Sequence, residues 1–129
     1  MAVQIVVAGA LIVDGALLVA QRNRPPELAG LWELPGGKAG AGESDTQALI
    51  RELREELGVD VLVGERLGAE VGLNPTMVLR AYRVRLQSGT VEPHDHRALR
   101  WVRGPELDGL AWVPADTAWL PDLRAALPG

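Results

Sequence analysis

With 129 residues the chain suits one domain, residues 1–129, and leaves little room for a second. A hydrophobic content of 47% with 23% charged residues excludes disordered and fibrous classes, and the lack of cysteine excludes disulfides, thiol catalysis and cysteine-ligated metals. A formal net charge of −4 without a basic cluster speaks against a grip on polymeric nucleic acid, so a bound phosphate compound would need a cation between it and the protein.

The opening stretch MAVQIVVAGALIVDGALLVAQR is apolar, but its first basic residue is Arg22, too late for the positive region of a signal peptide. Asp14-Gly15 also interrupts the run. Gln4–Val13 and Ala16–Gln21 flank that dipeptide as aliphatic, β-branched runs, and a hairpin is expected because both turn positions tolerate positive φ. The expectation is a cytoplasmic protein that does not enter a membrane.

Residues 22–42, RNRPPELAGLWELPGGKAGAG, read as a Pro- and Gly-rich loop with a short extended piece at Trp32–Leu34. Ser44–Leu57 reads as a helix: Ser44 and Gln47 form a capping box, and Gly58 stands where a C-terminal glycine belongs. Leu49, Ile50, Leu53 and Leu57 recur at helical spacing and should face the core. Val59–Val63 and Met77–Leu86 look like strands, the second carrying Tyr82 with Arg80, Arg83 and Arg85. Gln87–Pro93 is turn-like, Ala98–Val102 is a short strand, and PELDGLAWVPADTAWLPDLRAAL is helical in its last third. Strands, helix, strands, helix is the order of an α+β fold, a mixed-sheet sandwich of layers.

Glycines at 36, 37, 40 and 42 precede a helix on which Glu52, Glu55 and Glu56 crowd together. At about 100° per residue these three carboxylates fall within roughly a third of the circumference, where like charges repel. A hard cation such as Mg²⁺ would compensate, since it prefers oxygen ligands. On the helix alone the simpler reading is a solvated face paired to Arg51 and Arg54. The glycines shift the balance, because they let backbone approach a ligand closely. A P-loop is excluded: Lys38 is followed by Ala39, not Ser or Thr.

The spacing runs Gly37, five residues, Glu43, seven residues, then Arg51-Glu52-Leu53-Arg54-Glu55-Glu56-Leu57-Gly58-Val59. At every fixed position it resembles the Nudix box, G-x5-E-x7-R-E-U-x-E-E-x-G-U with U aliphatic. The resemblance implies an α/β/α sandwich that hydrolyses a nucleoside diphosphate linked to another moiety, with Mg²⁺ or Mn²⁺ as cofactor. It implies metal ligation by Glu52, Glu55, Glu56 and the Gly36 carbonyl, with Glu55 or Glu56 acting on the attacking water. Gly37, Glu43, Arg51 and Gly58 would be the structural positions of the box, Glu43 and Arg51 bracing loop against helix. Gly40 departs from the glutamate many relatives carry there, which should soften the loop.

Within the family VVAGALIVDGALLVAQR, WELPGGK, HDHRALRWV and VPADTAWLPDL resemble the MutT-type branch, and together they span nearly the whole chain. That branch splits a nucleoside triphosphate into monophosphate and pyrophosphate by attack of water on the β-phosphorus. Asp95, six positions before Trp101, would be a further metal ligand; otherwise it is a loop carboxylate paired to Arg97. His94 and His96 are expected to face solvent. Arg22, Glu33, Gly37 and Lys38, the chain's lone lysine, would meet substrate. Asp116 stands where the branch carries a base-reading asparagine; its other job could be the N-cap of the last helix. The flanks look most like actinobacterial MutT-type proteins acting on cytidine nucleotides, with oxidised dGTP as a weaker substrate; nucleotide-pool cleaning and pyrimidine balance both stay open as roles. The four tryptophans are expected in the core, with one at most lining the pocket. The rival readings are a hydrolase of another diphosphate such as ADP-ribose, or a nucleotide-sensing domain without catalysis. A monomer and a homodimer are both compatible with the chain.

Overall fold

The computed structural model describes residues 3–128; Met1, Ala2 and Gly129, the ends of the expected domain, lie outside them. In chain order the elements are β1 (Gln4–Val13), β2 (Ala16–Gln21), β3 (Trp32–Glu33), β4 (Gly36–Lys38), α1 (Asp45–Leu57), β5 (Asp60–Asn74), β6 (Met77–Ser88), β7 (Ala98–Val102) and α2 (Leu120–Ala126). Two 3₁₀ turns, Gly104–Gly109 and Pro114–Trp119, lie between β7 and α2, each with proline in its first turn.

The Asp14-Gly15 hairpin forms as expected. Asp14 has φ 50° and Gly15 φ 76°, the two positive values a tight hairpin turn requires, and Val13 pairs with Ala16 across it. β1 organises the rest: it runs parallel to β6 from Gln4 to Leu11 and antiparallel to β4 over Val6–Ala8. β2 carries β3 and β7, and β5 closes the far side against β6, giving one mixed sheet.

Alternation along β1 builds two cores. Val7 and Leu11 point toward α1, where they pack with Ala48, Leu49, Leu53 and Leu57. Ala8 and Ala10 point the other way, toward Trp112, Trp119, Leu107 and Leu123 of the C-terminal segment. The result is the α/β/α sandwich. Each fully buried leucine of α1 contributes about 2 kcal/mol of transfer free energy, enough to fix which face the helix presents. The helix ends hold the register: Ser44 Oγ accepts from the Gln47 amide, Ser44 N–H donates to Gln47 Oε1, and Gly58 at φ 72° donates to the Arg54 carbonyl.

Three segments depart from expectation. β5 runs to Asn74 instead of stopping at Val63, because the long ladder with β6 carries the strand through bulges at Gly64–Glu65 and between Leu67 and Val71. Gly36–Lys38, expected as loop, is a strand, its hydrogen bonds supplied by β1. Trp112 and Trp119 are in the core and Trp32 packs against it, but Trp101 is exposed on β7. Among the described residues no helix is long and apolar enough to cross a membrane.

Candidate active site

The two leucine-bearing turns that bury α1 leave Glu52 and Glu56 on the flank facing β4, one turn apart. β4 can lie this close only as glycine. A Cβ on Gly36 would overlap the Val7 carbonyl oxygen, and one on Gly37 would strike the Glu52 carboxylate. Gly36→Ala should therefore cost stability, about 3 kcal/mol in a urea melt, because backbone meets backbone. Gly37→Ala should instead spare most of the stability and cut turnover more than about tenfold, since it displaces a flexible carboxylate.

Arg51 binds the loop to the helix. Its Nε donates to Glu43 Oε2 at 2.8 Å and its NH2 to Glu43 Oε1 at 2.9 Å and to the Lys38 carbonyl at 3.1 Å. The Arg51 guanidinium and then the Gly40 amide hold the Glu43 carboxyl down at about 2. Arg51 NH1 also donates to Glu52 Oε1 at 2.9 Å and reaches Glu55 at 3.3 Å.

Beside β4 and α1 opens a cavity of about 500 Å³. Gly36, Gly37, Lys38, Glu52 and Glu56 line it, and so do Arg22, Glu33, Asp95 and Asp116. Glu55 does not: it lies on the solvent side of the helix, 59% exposed, against Arg51. None of the tryptophans lines the cavity; its apolar wall is aliphatic, from Val6, Leu34, Leu79 and Val113.

Several local expectations are corrected. Asp95 pairs with Arg24 at 2.8 Å, not with Arg97, because the chain before β7 runs alongside the chain after β2. His96 does not face solvent. It is buried in the cavity wall, with Nε2 3.0 Å from Glu33 Oε2, and no local spacing could have placed it there. The β2–β7 pairing does so, since Gln21 opposite Ala98 brings His96 to the Arg22 side. Asp116 caps no helix: it lies inside a 3₁₀ turn and accepts from the Leu34 amide at 2.8 Å. Arg22 is bound to Glu33, at 3.0 and 3.1 Å from its two oxygens.

Two carboxyls in the cavity are strongly perturbed. Burial pushes Glu56 up to about 8, and the charges of Glu52, Glu33 and Asp95 add to this while the Gly36 amide opposes. Burial likewise pushes Asp116 up to about 7, opposed by the Leu34 amide and Arg22 and reinforced by Glu33. Glu33 is thus the charge felt at both Glu56 and Asp116.

Among the described residues no three acidic or histidine side chains already converge as a closed metal cage. The donor set nevertheless fits a cation. Glu56 Oε2 is sealed from solvent and accepts no hydrogen bond, and the neighbouring charges are negative. A buried carboxylate oxygen without a donor is costly, and a positive ion removes that cost. Glu52 and Asp95 line the same cavity with hard oxygen donors, the type Mg²⁺ prefers.

The NUDIX domain family profile matches residues 3–128. A Mycobacterium tuberculosis protein named "Putative 8-oxo-dGTP diphosphatase 2" is 57% identical over 98% of this chain and 92% of its own length. The Escherichia coli protein named CTP pyrophosphohydrolase is 43% identical over 95% of both chains. Among solved structures, the solution structure of the E. coli ORF135 protein is similar with a TM-score of 0.82 at 38% identity, covering 100% of this chain and 96% of that one. The crystal structure of a MutT Nudix hydrolase from Burkholderia pseudomallei gives a TM-score of 0.82 at 28% identity over 95% and 98% of the two chains. With the box on its loop and helix, the sandwich around it and the match along the described length, the chain belongs to the Nudix hydrolase family.

Proposed function

We propose that this Nudix domain, spanning residues 1–129, is a Mg²⁺-dependent nucleoside triphosphate pyrophosphohydrolase that releases nucleoside monophosphate and pyrophosphate. CTP, dCTP and 5-methyl-dCTP are its proposed substrates, in the cytosol. The observation that carries this is one cavity joining an orphaned carboxylate, Glu56, to a buried base-reading candidate, Asp116.

Glu52, Glu56, Asp95 and the Gly36 backbone would hold the ion. Bound there, a divalent ion would neutralise phosphate charge and acidify attached water. Lys38 on β4 contributes a positive charge for the polyphosphate. Arg51 fixes Glu52 and ties the loop to the helix, so the ligating oxygens are held before substrate arrives. Glu55 reaches the cavity only by leaving Arg51, which makes Glu56 the better-placed carboxylate for ligation and Glu55 the candidate to take a proton.

Base choice falls to polar groups, since the walls are aliphatic and stack weakly. Asp116 Oδ1 remains free after Oδ2 takes the Leu34 amide, and Glu33 lies beside it. Oxygen acceptors there suit the exocyclic amine of cytosine. The E. coli relative named for CTP supports this choice. The M. tuberculosis relative supports a second reading, oxidised dGTP, whose N1–H and amine also donate.

The test is a panel of CTP, dCTP, 5-methyl-dCTP, dGTP, 8-oxo-dGTP and ADP-ribose with Mg²⁺, products resolved by ion exchange. Monophosphate and pyrophosphate should appear fastest from the cytidine substrates. Faster turnover of 8-oxo-dGTP would reverse the base assignment, and turnover of ADP-ribose alone would overturn the triphosphate reaction.

A further inference from the structure

His96 is the buried polar group that neither the box nor the proposed chemistry uses. Its side chain is only 6% exposed, it lines the cavity, and its one hydrogen bond is to Glu33. Glu33 is held from two directions. Arg22 NH1 bridges both carboxylate oxygens at 3.0 and 3.1 Å, and His96 Nε2 meets Oε2 at 3.0 Å. A carboxylate so bonded by arginine only accepts, so the ring proton facing it is on Nε2. Nδ1 is sealed in the wall without a partner. A buried imidazole with an unsatisfied nitrogen costs stability, and an aliphatic side chain would fill the place without that cost. The bond to Glu33 is what the histidine adds.

An ionised carboxylate offers about four acceptor positions. Three of Glu33's are taken, two on Oε2 and one on Oε1. The remaining acceptor is on Oε1, in the same cavity as the free Oδ1 of Asp116. We propose that His96 is a specificity-positioning residue: with Arg22 it locks the rotamer of Glu33, so that Oε1 accepts a hydrogen bond from the exocyclic amine of the substrate base. This rests on the nucleotide reading of the site. Without His96, Glu33 keeps its bonds to Arg22 but gains freedom to rotate about them, and the amine loses a fixed acceptor.

CTP and UTP differ on the edge this oxygen would read: C4 carries an amine in CTP and a carbonyl in UTP, and the adjoining N3 is a bare acceptor in CTP and an N–H in UTP. Steady-state kinetics on both should show that wild type prefers CTP. His96→Phe should lower the CTP-to-UTP ratio of kcat/KM about tenfold, through the KM for CTP more than through kcat, as expected for one lost hydrogen bond. His96→Gln should restore most of the ratio, because its amide nitrogen can stand where Nε2 stands, whereas the shorter His96→Asn should not. On a Glu33→Gln background His96→Phe should lower the ratio no further.

Equal slowing of CTP and UTP, or full additivity with Glu33→Gln, would overturn the proposal in favour of a packing role. If His96→Phe fails to fold, the Gln and Asn variants decide, and equal ratios in the two would overturn it. A wild type that cleaves CTP and UTP equally to monophosphate and pyrophosphate would overturn the role of His96 while leaving the reaction standing. Failure to cleave any triphosphate would remove the reading of the site itself.

Discussion

Replacing Glu56 by glutamine is expected to lower kcat about a thousandfold, the scale of losing a charge-stabilising group in a catalytic site. The same substitution should leave the fold intact and raise, or at least not lower, the melting temperature of the metal-free protein. Both outcomes have one cause. Glu56 is buried against Glu52, Glu33 and Asp95, and its Oε2 has no donor. Its charge opposes folding until a cation arrives, and a neutral amide of the same shape relieves that opposition. Thermal melts with and without Mg²⁺ provide a second readout: the ion should raise the melting temperature of wild type and do so far less for the variant. Retained activity would show that Glu56 does not hold the ion. A large drop in metal-free stability would show that its carboxyl supports the fold instead.

Asp116→Asn should make the protein more stable above neutral pH, with a gain that shrinks through mild acid and vanishes below about pH 4. Asp116 is 4% exposed, and its folded-state pKa of about 7 lies above the 3.8 of an ordinary aspartate. The folded form therefore favours the protonated carboxyl. Below the unfolded value the residue imposes no penalty. As pH rises through the window from 3.8 to about 7 the charge must be buried, and stability is lost. Above the window the penalty reaches at most about 4 kcal/mol, from about 1.4 kcal/mol per pKa unit. Asparagine keeps an oxygen for the Leu34 amide and has no charge to bury. Urea melts of both proteins should converge below about pH 4 and separate by about 4 kcal/mol near about pH 8. A gap independent of pH would mean that Asp116 does not titrate in this range.

Much of this was legible in the sequence, and for identifiable reasons. The hairpin at Asp14-Gly15 and the caps at Ser44, Gln47 and Gly58 are set by neighbours a few residues apart, which is where residue preferences act. The box could be read because its spacing is fixed by one loop and one helix. The continuation of β5 could not, since its glycines and bulges break the alternation and only β6 sustains the strand. Nor could β4, where three residues with little intrinsic strand preference are held by β1. His96 and the Arg24–Asp95 bridge depend on the β2–β7 register, a pairing between segments far apart in the chain. Asp116 reaching the Leu34 amide is the same kind of contact.

The most direct test of the proposed reaction is phosphorus NMR of CTP, Mg²⁺ and the protein in oxygen-labelled water. CMP without label together with labelled pyrophosphate is the predicted result, from water attacking the β-phosphorus. CDP with orthophosphate, or unchanged CTP beside folded protein, would contradict it.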